Sequence, residues 1–165
     1  MIFSLLSIPH SGTRFLRNNI FPDCDEVPYF SSAPGYTFDH IDPWNYCNVI
    51  SMLDVTTRII IPLRHPARVH KSWEKRGREH QMDRMWAGWS LLAHSLSKNF
   101  TVKYIVIDGP NRELQASVIR RYLSLPEISI DWTPFKSKDG DFNAKTDVPI
   151  PSKLLEFYQD CCNSF

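Results

Sequence analysis

Short apolar runs alternate along this chain with stretches of helical spacing, and the alternation predicts its architecture. Residues 2–8 read as a first strand and 13–20 as a first helix. Residues 21–34, rich in Pro, Asp and Ser, read as a loop, and Tyr36 to His40 as a short second strand. Pro43 opens a helix reaching about Val55, with Val49, Ile50, Met52 and Leu53 on its apolar side. Residues 58–63, rich in isoleucine, predict the third strand, and 67–76 a helix. From Asp83 to Lys98 the helical pattern is clearest. Met82, Met85, Trp86, Trp89, Leu92, Ala93 and Leu96 form a stripe that reads as core packing. Residues 101–107 predict a fourth strand and 112–124 another helix. The tail from Glu127 reads as irregular until Ser152, the expected cap of a final helix over Lys153 to Cys161. Strands alternating with helices in 165 residues predict one α/β domain, a mainly parallel sheet with helices on both faces. The Asp/Pro/Lys-rich stretch 133–151 is the expected mobile flap.

Two of the predicted strand ends carry anion-binding chemistry. The first strand runs through Leu5, Leu6, Ser7 and Ile8 into Pro9-His10-Ser11-Gly12-Thr13-Arg14, and Phe15 and Leu16 restart an apolar pattern. Such a turn presents backbone N–H groups toward one point, where a phosphate or sulfate is held. Gly12 allows close approach of the backbone, and Ser11 and Thr13 add hydroxyls. A turn leading into an ordinary N-capped helix gives the same pattern. The third strand runs into Arg64-His65-Pro66, Pro66 is placed to start a helix, and Ser72 lies eight residues beyond Arg64. A guanidinium at a strand tip and a hydroxyl two turns along the next helix can grip one phosphate from two sides. The competing reading is a solvated basic turn.

Together these segments resemble the sulfotransferases that use 3′-phosphoadenosine 5′-phosphosulfate (PAPS). In that family a Pro-Lys/Arg-Ser-Gly-Thr-Thr/Arg loop holds the 5′-phosphosulfate. A later Arg-x-Pro, with Ser eight residues after the Arg, holds the 3′-phosphate. Here the motifs read Pro9-His10-Ser11-Gly12-Thr13-Arg14 and Arg64-His65-Pro66 with Ser72. Tyr104 to Asp108 and Leu123-Ser124-Leu125-Pro126 are similar to the family's later strand and helix close, so residues 1 to about 126 are covered in outline. Three positions depart from the pattern. His10 stands where the family has Lys or Arg, Phe15 stands for a frequent Trp, and Lys136 to Gly140 only loosely echoes a C-terminal basic-Gly element. The resemblance implies a three-layer P-loop-like fold with PAPS as co-substrate; the histidines form no H-x-x-x-H or H-E-x-x-H pattern, so no metal is expected. The resemblance also implies donor binding by Pro9, His10, Ser11, Gly12, Thr13, Arg14, Phe15, Arg64 and Ser72, with His10 also a catalytic residue.

Composition narrows the alternatives. A net charge of +1 gives no field suited to nucleic acid; the cations cluster locally at 58–84, which fits a small polyanion. Cys24, Cys47, Cys161 and Cys162 form no C-x-x-C pair, so neither zinc nor a disulfide framework is expected. Reduced thiols suggest a cytoplasmic protein. The N-terminal apolar run lacks a basic flank and is cut by Pro9 and His10, so it does not read as a signal peptide. No apolar stretch approaches the ~20 residues of a membrane span.

Sulfuryl transfer needs an in-line donor, a stabilised leaving phosphate and a base for the acceptor's proton. His40, at the expected end of the second strand, is the candidate base; Asp39 or Asp42 is expected to orient or replace it. His65 is placed to touch the nucleotide. His70 and His80 read as solvated, and His94 as packed. Arg14 either meets the 5′-phosphate or is an ordinary first-turn residue. Trp132 either stacks on adenine or packs in the core. The expected acceptor is a small molecule or glycan, seated among loops 21–35, 77–84 and 133–151. Two other readings stand beside a sulfotransferase. One is a P-loop-like nucleotide kinase, although the Walker loop's first Gly and its Lys are missing. The other is a non-catalytic anion-binding module of the same fold.

Overall fold

The computed structural model describes residues 2–9, 11–41, 45–78, 81, 86, 88, 95–133 and 150–164. Several sequence expectations lie outside them. These are His10, Asp42, His80, His94, the Lys136 to Gly140 echo, most of the 83–98 helix and nearly all of the 133–151 flap.

Four strands are described: β1 (Ile2–Ser7), β2 (Gly35–His40), β3 (Arg58–Leu63) and β4 (Thr101–Val106). They form one sheet in the order β2-β1-β3-β4, with every pairing parallel. The third strand falls where its isoleucine run predicts. It is interior to the sheet and Ile59, Ile60 and Ile61 are all buried, which is why it is continuously apolar and not alternating.

Helices cover both faces. On one face lie α1 (Thr13–Phe15), its π-type continuation Leu16–Ile20, and a later helix, Arg112–Tyr122. Phe3, Leu5, Ile60, Ile105 and Ile107 from the sheet pack there against Phe15, Leu16, Ile20, Ala116, Ile119 and Trp132. On the other face lie α2 (Tyr46–Ser51), α3 (Pro66–Glu74) and the last helix. Leu6, Ile59, Ile61, Leu63 and Val106 pack there against Val49, Val69, Trp73, Leu154 and Tyr158. The alternation of β3 between the two groups is the two-residue period of a strand. The expected three-layer α/β fold is therefore what the chain adopts. In chain order α4 is Ser97–Asn99, α5 is Arg112–Tyr122 and α6 is Ser152–Asn163.

Some expectations need correction. The described part of the second helix starts at Tyr46 and stops at Ser51, short of Val55. Pro151, not Ser152, occupies the position before α6, and no side chain caps it. The loop 21–34 is more ordered than its composition suggests. Val27 N–H donates to Tyr36 O and Tyr36 N–H to Asp25 O, so Glu26 forms a one-residue parallel bridge along β2. His70, expected in solvent, is 5% exposed on the packed side of α3.

Two polar side chains are structural. Arg120, on α5, is only 1% exposed. Its guanidinium donates to both carboxylate oxygens of Asp23, at 2.9 and 2.7 Å, and to the carbonyls of Ile20 and Pro126. This joins the end of the α1 segment to the Leu123–Pro126 turn. Gln115 accepts from Val106 N–H at 2.8 Å and donates to Cys161 O at 2.9 Å, linking β4 to α6. Among the described residues no helix is long and apolar enough to cross a membrane.

Candidate functional site

The strand order fixes where a ligand belongs. From β1 the chain moves to β2 on one side, and β3 and β4 lie on the other. The order therefore reverses between β1 and β3, and in open parallel sheets ligands bind in the crevice beyond the strand ends at such a switch point. The β1 exit (Ile8 to Thr13) and the β3 exit (Arg64 to Pro66) both open onto it.

The first loop is held from within. Ser11 N–H and its hydroxyl both donate to Ile8 O, the hydroxyl at 2.7 Å. Trp73 on α3 donates its indole N–H to Pro9 O at 3.3 Å, tying this loop to the helix after β3. Gly12 has φ +98°. Among the described residues, the amides of Gly12 and Thr13 have no backbone carbonyl partner. Two neighbouring amides at a left-handed residue suit an anion-accepting concavity.

Three expectations for this loop change. Glycine at position 12 is required by packing: a Cβ there would lie 1.9 Å from Ile107 Cδ1, and φ disfavours any other residue. Gly12→Ala is expected to cost about 2 kcal/mol from the left-handed backbone and overpacking, read as a lower urea midpoint. The Ser11 hydroxyl is buried and already donated to Ile8 O, so it is not a ready ligand donor. Phe15, 7% exposed, is a core residue against Trp132 (ring centroids 5.0 Å apart), which places it away from the crevice. Trp132 itself packs in the core beneath the Arg112 guanidinium, so the packing alternative holds for it. Arg14 is exposed.

The second loop is built around Asp108, a residue the sequence left without a role. It lies just past β4 and is fully buried. Its carboxylate accepts the backbone N–H of His65 at 3.1–3.2 Å and the Tyr158 hydroxyl at 3.0 Å, and Arg68 stands 3.6 Å away. Asp108 therefore fixes the turn that presents Arg64. Burial lowers the pKa of the Arg64 guanidinium, with Asp108 opposing the shift and Arg68 adding to it. Among the described residues Arg64 Nε is buried without a hydrogen-bond partner. A half-desolvated cation with an orphan donor is suited to an incoming anion.

His65 is the residue before α3. Its Nδ1 accepts from Ala67 N–H at 3.2 Å, so the ring proton sits on Nε2. Burial lowers its pKa and favours the neutral ring. The ring meets Tyr158 edge-on with centroids 5.0 Å apart. Its capping role explains the position without a nucleotide contact. Ser72 is partly buried on α3, one turn beyond Arg68, and its hydroxyl is unpaired among the described residues.

His40 ends β2, next to β1. Its ring is partnered at Nδ1 by Ser7 Oγ at 3.0 Å, and Ser7 accepts the Thr13 hydroxyl at 2.7 Å. Phe38 packs edge-on against the imidazole. Asp39 points to the opposite face, as strand alternation requires, and accepts from the Tyr29 hydroxyl at 3.3 Å. It does not orient His40. The residue that holds His40 is Ser7, which sequence reading passed over as strand interior; its register opposite His40 follows only once β1 and β2 are paired.

Among the described residues no group of three or more His, Cys, Asp or Glu is arranged to hold a metal ion. Comparisons with protein-family models, curated proteins and solved structures found no match. The functional reading therefore rests on the site itself.

Proposed function

We propose that this protein is a PAPS-dependent sulfotransferase acting on a hydroxyl or amine of a small-molecule or glycan acceptor. The observation that carries the reading is the meeting of two anion-suited loops at the β1/β3 switch point, one with Gly12 and Thr13 amides that have no backbone partner among the described residues, the other with Arg64, whose Nε is buried without a partner among them. The motif resemblance of Pro9 to Arg14 and of Arg64, Pro66 and Ser72 supports the choice of PAPS over other anions. In this reading the first loop holds the 5′-phosphosulfate, and Arg64 with Ser72 holds the 3′-phosphate. His40 stands two strand spacings from β3, roughly 10 Å away across the crevice. It takes the acceptor's proton as the acceptor oxygen or nitrogen attacks sulfur. The bond from sulfur to the phosphate oxygen breaks, and adenosine 3′,5′-bisphosphate leaves with that electron pair.

Calorimetry tests the binding half. The protein is expected to prefer adenosine 3′,5′-bisphosphate over 5′-AMP, and Arg64→Ala to lower affinity for the former by roughly tenfold to a hundredfold, the value of one charge-assisted contact. Equal affinities in the unmutated protein would remove the 3′-phosphate assignment. Labelled PAPS, offered with a panel of hydroxyl and amine acceptors, tests turnover. Binding without transfer would favour the non-catalytic module, and preference for ATP in thermal shift would favour a kinase.

A further inference from the structure

The hydroxyl pair between the first loop and His40 has a direction, and that direction bears on the base. Thr13 Oγ1 donates its only proton to Ser7 Oγ at 2.7 Å. Ser7 has one proton and is fully buried, and its other partner is His40 Nδ1 at 3.0 Å. Among the described residues no third partner for the Ser7 hydroxyl is present. With one of its lone pairs taken by Thr13, Ser7 satisfies its proton only by donating to Nδ1. The neutral ring then carries its proton on Nε2. In that tautomer the outward nitrogen is a donor and cannot accept a proton.

We infer that Ser7 and Thr13 are positioning residues that couple donor binding to the tautomer of His40, so that the base is competent only when the 5′-phosphosulfate end of the donor occupies the first loop. This inference rests on the sulfotransferase reading. A phosphate oxygen at the loop gives the Thr13 hydroxyl a stronger acceptor than Ser7. Thr13 turns its proton to that oxygen and exposes a lone pair to Ser7. Ser7 turns its own proton to Thr13 and exposes a lone pair to the ring. The favoured arrangement becomes Nδ1–H to Ser7, Ser7 to Thr13, Thr13 to phosphate. His40 is exposed, so its ring exchanges with water: one proton leaves Nε2, one returns to Nδ1, and the net charge is unchanged. Nε2 is then bare and faces the acceptor. Without the donor the ring does not deprotonate an alcohol.

Nitrogen NMR of histidine-labelled protein reads the two tautomers directly, and His40→Gln identifies the His40 signals among the six histidines. The probe is adenosine 3′,5′-bisphosphate, whose binding is followed in parallel by calorimetry. The free protein is expected to show His40 as Nε2–H, and the saturated protein as Nδ1–H. Thr13→Ser keeps the response. Thr13→Val weakens nucleotide binding by about tenfold and, once saturated, shows no change of tautomer. Ser7→Ala likewise loses the response; its nucleotide affinity stays within about twofold while kcat falls at least tenfold or so. Saturation by calorimetry with the His40 tautomer unchanged would overturn the coupling and leave the sulfotransferase reading in place. Failure of the nucleotide to bind would overturn both.

Discussion

If the protein is the proposed sulfotransferase, His40→Ala is expected to lower sulfuryl transfer by about 10²–10⁴-fold while leaving the affinity for adenosine 3′,5′-bisphosphate within a few-fold of the parent. The asymmetry follows from where the residue stands. His40 ends β2, while the loops assigned to the two phosphates follow β1 and β3. Removing the imidazole takes away the proposed proton acceptor and the edge contact with Phe38, and leaves the Gly12 and Thr13 amides and Arg64 in place. The ring is exposed, so its loss opens no core cavity. Single-turnover assays with labelled PAPS measure the rate, and calorimetry measures the affinity. A mutant that transfers sulfate at the parent rate would make His40 a bystander. Asp39 is a poor replacement, because it faces the other side of the sheet and is engaged by Tyr29.

Arg120→Met destabilises the protein by about 4 kcal/mol. Methionine keeps the apolar reach of the side chain but removes every donor. The carbonyls of Ile20 and Pro126 lose their guanidinium partner, and Asp23 loses a bidentate one. Asp23 is itself about one-third exposed and can rehydrate, so most of the loss comes from the two carbonyls and the broken packing. A change of this size lowers the melting temperature by about 8–16 °C in a protein of this length. It also carries a pH signature. The hydrogen bonds from Arg120 hold the Asp23 carboxyl below its usual range. The pair's contribution is complete above the unfolded aspartate pKa of about 3.9 and is lost as pH falls through the lower folded value. The gap between the urea midpoints of parent and mutant is therefore widest near neutrality and narrows in acid by the Asp23 share, leaving the part due to the carbonyls and packing. A gap that stays constant down to pH 2 would show that Asp23 contributes nothing.

The strands were legible because each is decided locally. The isoleucines of β3 and the apolar residues of β1 can only be buried, and Pro66 supplies a helix start whose φ is already set. What escaped is whatever depends on distant partners. Nothing local in the sequence marks Arg120, because its burial depends on Asp23, 97 positions away. Asp108 looked like the end of a strand, yet it organises the β3 exit through His65 and Tyr158. His70 reads as solvated because no local pattern marks which side of α3 meets the core. At the candidate site the motifs gave the loops but not the direction of the side chains. Ser11 and Phe15 turn inward, since the loop satisfies its own carbonyl and the core takes the aromatic. Ser7 went unnoticed because its importance lies entirely in the neighbour across the sheet.

Gln115 has a consequence for how this molecule meets others of its kind. In the described sheet β4 has a neighbour on one side only, and a bare strand flank is a template on which another chain can add a strand. At Val106 the N–H is already occupied by the glutamine amide, whose opposite end holds a carbonyl of α6. An intruding strand would have to displace that side chain and leave a buried amide half-satisfied before gaining its own hydrogen bonds. The amide thus acts as a stopper at the end of the strand nearest the crevice, disfavouring edge-to-edge growth beside the loops that must stay open to a ligand.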